Sequence, residues 1–225
     1  MHLRELLEHL KPHKTVPITP WRANSRWDLS PSRVVILTIG LTLFGFGDAF
    51  VVQSNLGNAP WTVFAEGISE RTGMSLGLST LVISAFVMLL WIPLREKPGF
   101  GTLANMFLIA WAIQFGVDHF PLQHSFIGGV VSAFFGVALV GLGTSLYITC
   151  ALGPGPRDGA MTGLHRKSGV RVGRVRLGIE LCVLTIGAFL GGRIGLGTAI
   201  FALFVGQSIA IFLGLVARLT AEKNS

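Results

Sequence analysis

Apolar positions in this chain gather into long runs separated by short polar breaks. Six runs stand out: Val34 to Gln53, Leu76 to Leu94, Thr102 to Phe120, Phe126 to Thr149, Val175 to Leu190 and Thr198 to Ala217. Each approaches the roughly 20 helical residues that cross a hydrocarbon core of about 30 Å. Between the first two runs the period changes. Trp61, Phe64, Ala65 and Ile68 fall at i, i+3, i+4 and i+7, which predicts a short amphipathic helix opened by Pro60 and ending near Gly73. Pro156 opens a second such helix, with Ala160, Met161 and Leu164 on its apolar face and Gly169 after its end. Ahead of the first run, Leu3, Leu6, Leu7 and Leu10 have helical spacing until Pro12, Pro17 and Pro20 interrupt. This leader reads as a solvated tail ordered only by contact with the membrane surface.

The two short helices occupy corresponding places in a repeat. Leu56-Gly57 and Leu152-Gly153 lie 96 residues apart, and the same offset superposes Gly40 on Gly136, Gly45 on Gly141, Gly47 on Gly143, Gly73 on Gly169 and Gly101-Thr102 on Gly197-Thr198 without a gap. A unit this long made twice is a structural repeat. Each copy holds three spans, an odd number, so the copies are expected to sit in a membrane in opposite orientation. The fold expected is an all-α membrane protein of six transmembrane helices, arranged as two inverted three-helix repeats. Each repeat adds one short helix, either interfacial or re-entrant. Residues 1–33 form a basic leader, 34–120 the first repeat, and 121–225 the second repeat with a short tail.

Composition supports the membrane and leaves no room for a separate soluble domain: 51% of residues are hydrophobic and 13% charged. The net charge of +7 reads as an orientation device. With six spans, sixteen of the eighteen Lys and Arg residues fall on one side, leaving Arg71 and Arg193 on the other. The positive-inside rule then places both termini in the cytoplasm of a bacterial plasma membrane. Short basic loops hugging a bilayer do not make a nucleic-acid footprint, so the expected partners are the lipid bilayer and a small-molecule solute. Cys150 and Cys182 read as reduced packing residues.

Candidate chemistry is sparse. Interrupted segments at corresponding places in inverted repeats point to a substrate site, because irregular backbone survives in a membrane where it lines a cavity or is buried in protein. Asn58 and Pro60 in the first motif, and Arg157 and Asp158 in the second, are therefore candidate substrate-binding residues. Helix N-termini at Pro60 and Pro156 suit an anionic group. Asp48 is an interior carboxylate, roughly 22 Å along its helix from Arg33 at about 1.5 Å per residue. It faces the bundle interior or reaches the interface, and its repeat partner is Thr144. Glu180 follows Arg176 by four residues, the spacing of a helical ion pair; Arg157 and Asp158 pair locally or with Glu180. Gln53, Asn105, Gln114 and Gln207 are lining groups or interhelical hydrogen-bonding groups. His119 and His124 lack metal-ligand spacing, and no nucleophile elbow or phosphate loop occurs. No enzyme activity, metal or cofactor is expected.

The chain resembles the YczE-like (YczE/YyaS/YitT) bacterial integral membrane proteins from Gly40 to about Leu215. The resemblance is carried by Leu56-Gly57-Asn58-Ala59-Pro60-Trp61, Trp91-Ile92-Pro93-Leu94-Arg95, Gly99-Phe100-Gly101-Thr102, Gly153-Pro154-Gly155-Pro156-Arg157-Asp158-Gly159, Arg174-Val175-Arg176 with Glu180, and Gly195-Leu196-Gly197-Thr198. It implies a polytopic plasma-membrane protein and carries no substrate. Two functions follow from the residues: a small-solute transporter with a site between the halves, or a non-transporting scaffold or accessory partner of a secretion or biosynthetic system. A transporter needs a cavity joining Asp48, Asn105, Gln114, Glu180 and both motifs, whereas a scaffold can be packed throughout.

Overall fold

The computed structural model describes residues 15–221, which are helical with short connections and, among the described residues, contain no strand. In chain order the helices are α1 (Pro31–Gln53), α2 (Pro60–Thr72), α3 (Leu76–Leu89), α4 (Trp91–Leu94), α5 (Phe100–His119), α6 (Phe126–Thr149), α7 (Pro156–Ser168), α8 (Val172–Leu190) and α9 (Leu196–Ala221). Proline fixes φ for a first helical turn, and α1, α2 and α7 all begin on one. The two short helices stop alike, at Gly73 with φ 73° and Gly169 with φ 71°. Ser75 and Ser125 cap α3 and α6 by accepting hydrogen bonds from the amides of Leu78 and Gly128. Pro93 has no N–H for the carbonyl of Leu89, and the second run breaks there into α3 and the single turn α4.

Most runs are shorter than their helices by two or three polar or glycine-bearing residues at the start, such as Pro31-Ser32-Arg33 and Val172-Gly173-Arg174. A larger difference concerns the number of spans. Among the described residues five helical stretches are long and apolar enough to cross a membrane: Pro31–Gln53, Leu76–Leu94, Phe100–His119, Phe126–Thr149 and Leu196–Thr220. The expected span Val175 to Leu190 does form a helix, α8, but Arg174, Arg176 and Glu180 in its first half leave it outside that set.

Helix α1 is central, packing on both α6 and α5. Gly40 abuts Gly143 while Gly47 abuts Gly136, so α1 and α6 run antiparallel. A Cβ on Gly47 would lie 2.6 Å from the Gly136 carbonyl oxygen, and one on Gly143 would lie 2.4 Å from that of Gly40. Backbones this close need small residues, which is how helices without a hydrophobic driving force between them gain dispersion contact. The other contacts follow the 96-residue offset in part: α1 packs on α5 as α6 packs on α9, and each short helix packs against the opposite half, α2 on α8 and α7 on α3 and α4, but α3 packs on α5 without a matching contact of α8 on α9.

The connections after α1 and α6 also match. Asn55 and Ala151 adopt φ 58° and 55°, Gly57 and Gly153 φ 101° and 118°. The Leu56 carbonyl accepts from the Gly197 amide at 2.7 Å, and the Leu152 carbonyl from the Gly101 amide at 2.8 Å. A side chain at Gly57 would be strained by its φ and would also meet the Gly195 amide at 2.4 Å.

Leu37, Leu41, Ile113 and Leu152 lie at the centre of the core. Large apolar side chains such as Ile39, Phe86, Phe107, Trp111, Phe134 and Phe189 point outward, a surface suited to lipid. The leader expectation is corrected in part. The positions Leu3, Leu6, Leu7 and Leu10 lie outside the described residues, but residues 19–26 dock on the bundle. Trp21 Nε1 donates to Thr149 Oγ1 at 3.1 Å, the Ala23 amide to the Cys150 carbonyl at 2.9 Å, and Arg26 to the Lys97 carbonyl. The cysteines also differ from one another: Cys150 is buried, whereas Cys182 is exposed on α8.

Candidate functional site

The first turns of α2 and α7 come together inside the bundle through Trp61 and Arg157. The Arg157 guanidinium lies over the Trp61 ring, 4.8 Å from its centroid. These residues are repeat equivalents, so the two motifs meet at corresponding positions. Around them is a cavity of about 370 Å³ lined from both halves. Its lining comes largely in pairs 96 residues apart: Asp48 with Thr144, Trp61 with Arg157, Thr80 with Arg176, Ser84 with Glu180, Asn105 with Phe201, and Ile109 with Val205. Backbone positions repeat, but charge does not. The second half supplies Arg157, Asp158, Arg176 and Glu180; the first supplies Asp48 and otherwise neutral groups.

Asp48 is 2% exposed, and Thr62 Oγ1 donates to its Oδ2 at 2.7 Å. Its Oδ1 has no hydrogen-bond partner. In the second half the acid and the hydroxyl have changed places: Thr144 stands on the long helix and Asp158 on the short one. Asp158 Oδ2 accepts from Tyr147 Oη at 2.9 Å, and Thr144 Oγ1 is left buried and unpartnered. Arg157 forms no ion pair with Asp158 or Glu180 among the described residues. Arg157 likewise makes no hydrogen bond to a described residue; its contact is the face of Trp61. The expected helical pair forms at the edge, where Arg176 Nε meets Glu180 Oε1 at 2.8 Å.

Of the candidate residues, Asp48, Pro60, Asn105, Arg157, Asp158 and Glu180 line this cavity. Asn58 and Gln114 do not. Asn58 is 1% exposed and donates through Nδ2 to Glu66 Oε2 at 2.7 Å, behind the motif. Gln114 accepts from the Gly77 amide at 2.9 Å and donates to Asp118 at 2.8 Å, fastening α5 to the start of α3. Gln53 donates to the carbonyls of Val117 and Phe120, and Gln207 lies exposed on α9. Gln53 and Gln114 thus satisfy backbone at helix ends, a role that polar side chains within apolar runs share with lining groups.

Several residues escaped the sequence reading. Thr62 was within reach, because the offset that pairs Asp48 with Thr144 pairs Asp158 with Thr62. Tyr147 is the single tyrosine of the chain and sits within an apolar run. Trp91 reads as an interface anchor but is 2% exposed; its Nε1 donates to the Pro156 carbonyl at 3.0 Å, and its ring fills the space over Gly159. It is the floor on which α7 begins. Glu66 and Arg193 carry no local signal, being 127 residues apart, yet they fasten the first motif. Glu66 Oε1 accepts from Arg193 Nε at 2.6 Å, and Oε2 from the Arg193 amide at 2.7 Å. At the opposite end of the bundle Arg166 pairs with Glu96 beneath the second motif.

An apolar exterior, five helices able to cross a membrane and an interior polar cavity define a helical membrane protein. The model of a family of unknown function, DUF6198, matches residues 31–214, and the chain belongs to that family, which is YczE-like. It is 38% identical over 206 residues to an uncharacterized protein of Haemophilus influenzae, covering 92% of this chain and 94% of the relative. The uncharacterized membrane protein YczE of Bacillus subtilis is 33% identical, over 87% of this chain and 93% of its own length. The uncharacterized protein YyaS of the same organism is 25% identical, over 83% and 94%. No solved structure matches the chain.

Proposed function

We propose that the protein is a small-solute transporter of the bacterial plasma membrane. In this reading it is multi-pass, with six spans in two inverted repeats, both termini in the cytoplasm, and its site between the halves. The observation that carries it is the cavity in which the N-termini of α2 and α7 converge. Interrupted helices meeting at a repeat interface are the arrangement in which alternating access moves one half against the other around a fixed site. The antiparallel register of α1 and α6 and the reciprocal loop contacts support the inverted arrangement. Helix α8 serves as the sixth span: Glu180 offsets Arg176, while Arg174 snorkels to the interface. The cavity joins Asp48, Asn105, Glu180 and both motifs, though not Gln114, and a scaffold packed throughout would not need it. No chemical step is assigned to it.

Metabolite profiling tests this. A deletion strain is compared with one expressing the protein, following uptake and efflux of a metabolite panel; a protein-dependent flux supports the proposal, and its absence for every solute overturns it. Arg157→Lys and Arg157→Ala are each expected to abolish the flux while membrane insertion persists. Lysine keeps the charge but has no planar fork to lie on Trp61 and hold an anion by two parallel hydrogen bonds. A silent Arg157→Lys would return the motif to a helix cap with a positive-inside charge.

A further inference from the structure

The cavity has two poles, and their charges come close to cancelling. One pole is Arg157, whose guanidinium has no hydrogen-bond acceptor among the described residues, together with the N-termini of α2 and α7, each 13 residues long. Each helix start carries an effective charge of about +0.5. The other pole consists of Asp48 and Asp158. Asp158 is partly satisfied by Tyr147, but Asp48 is 2% exposed and keeps Oδ1 without a partner on the cavity wall. Two carboxylates against one guanidinium leave a formal charge of −1, and the two helix starts offset it by about +1. The ion pair Arg176–Glu180 adds nothing to the balance.

A site that presents both signs of charge with little net charge favours a solute that carries both, over one that carries a single charge. A simple anion would leave a buried carboxylate uncompensated, and a simple cation would leave the guanidinium and both helix starts unanswered; either omission is costly in a low-dielectric interior. Resting on the transporter reading above, we infer that the solute is a net-neutral amino acid. Its carboxylate lies against Arg157 and the helix starts, and its protonated amine donates to Asp48 Oδ1. Thr62 holds the other Asp48 oxygen, so Oδ1 is the acceptor left over for the amine, reached once the carboxyl turns toward the cavity. Phe44, Ile109 and Val205 supply the apolar wall for the rest of the solute.

The test uses the purified full-length protein, with binding read by thermal stabilisation and by Trp61-sensitive fluorescence. The probes are the twenty proteinogenic amino acids and the ω-amino acids β-alanine, γ-aminobutyrate and 5-aminopentanoate, with butyrate and n-butylamine as single-charge controls. At least one zwitterion is expected to bind tenfold or more tightly than either control. Asp48→Asn is expected to weaken that zwitterion at least tenfold while butyrate binds as well as before or better; Arg157→Gln is expected to weaken the zwitterion while n-butylamine binds as well as before or better. Wild-type unfolding midpoints without ligand confirm that the variants fold, and Thr62→Val serves as a milder variant weakening the zwitterion severalfold. Binding of a control as tightly as every zwitterion, or no zwitterion binding, overturns the inference. Proteoliposome counterflow separates the two claims: binding without counterflow overturns transport and leaves the ligand class standing, whereas counterflow of a simple anion or amine alone does the reverse.

Discussion

Removing the Glu66 carboxylate tests how the first motif is held. Glu66→Ala deletes three hydrogen bonds at once, from Arg193 Nε, the Arg193 amide and Asn58 Nδ2. The donors are not equally harmed. Asn58 is 1% exposed and would be left with an orphaned amide, a loss of about 1–3 kcal/mol. The Arg193 side chain is 53% exposed and returns to water, so that pair contributes about 0–1 kcal/mol. With the charge-assisted bond to the backbone amide added at about 1.5–3 kcal/mol, the variant should lose about 2.5–7 kcal/mol. Glu66→Gln keeps one acceptor oxygen and should lose about half of that, and Arg193→Ala about 1 kcal/mol or less. Tryptophan-fluorescence unfolding in detergent should therefore rank the midpoints Glu66→Ala lowest, Glu66→Gln next and Arg193→Ala nearest wild type. Asn58→Ala combined with Glu66→Ala removes the orphan, so the double variant should be more stable than the two single losses imply, by about 0.5–3 kcal/mol. Additive losses, or a Glu66→Ala variant no weaker than Arg193→Ala, would refute this account and reduce Glu66 to a surface ion pair.

Three further outcomes are expected. Gly47→Val should prevent stable packing of α1 on α6, seen as loss of a monodisperse peak in size-exclusion chromatography, whereas Gly178→Ala, with open space at its Cβ, should be neutral or slightly stabilising. Trp91→Phe, which keeps an aromatic ring but loses part of the buried indole and the bond to the Pro156 carbonyl, should lower stability by about 1–3 kcal/mol, against about 3–5 kcal/mol for Trp91→Ala, read from the same unfolding assay. In a background with Cys150 and Cys182 replaced by serine, single cysteines at the exposed positions 70–73 should react with an impermeant thiol reagent from outside and those at 166–173 from the cytoplasm; labelling from one side would exclude the inverted arrangement.

The sequence by itself determined the helices and their repetition. Apolar runs of membrane length, Pro at the starts of the short helices and Gly73 and Gly169 at their ends are local signals, each with a steric cause that acts within a few residues. The constant offset of 96 residues made the matching glycines visible before any contact was known. The exception at this level is α8, whose first half carries Arg174, Arg176 and Glu180 and so parts company with the apolar runs. Six of the eight candidate residues line one cavity because interrupted backbone and interior charge are unfavourable in a membrane unless they share such a place.

Tertiary structure decided which half answers which. Asn58 and Gln114 look like Asn105 in sequence, yet Asn58 is turned away by Glu66, which in turn is held by Arg193 from 127 residues along the chain. No periodicity encodes that pairing, since it arises where α2 packs on α8 of the opposite repeat. Trp91 as the floor of α7, and residues 19–26 docked on the ends of α6 and α5, are likewise long-range contacts. The exchange of Asp48 and Thr62 for Thr144 and Asp158 can be written down from the repeat, but its meaning needs the first turns of the two short helices brought together. Side chains 96 residues apart become neighbours only when the halves close on each other, and the dipolar cavity exists only between them.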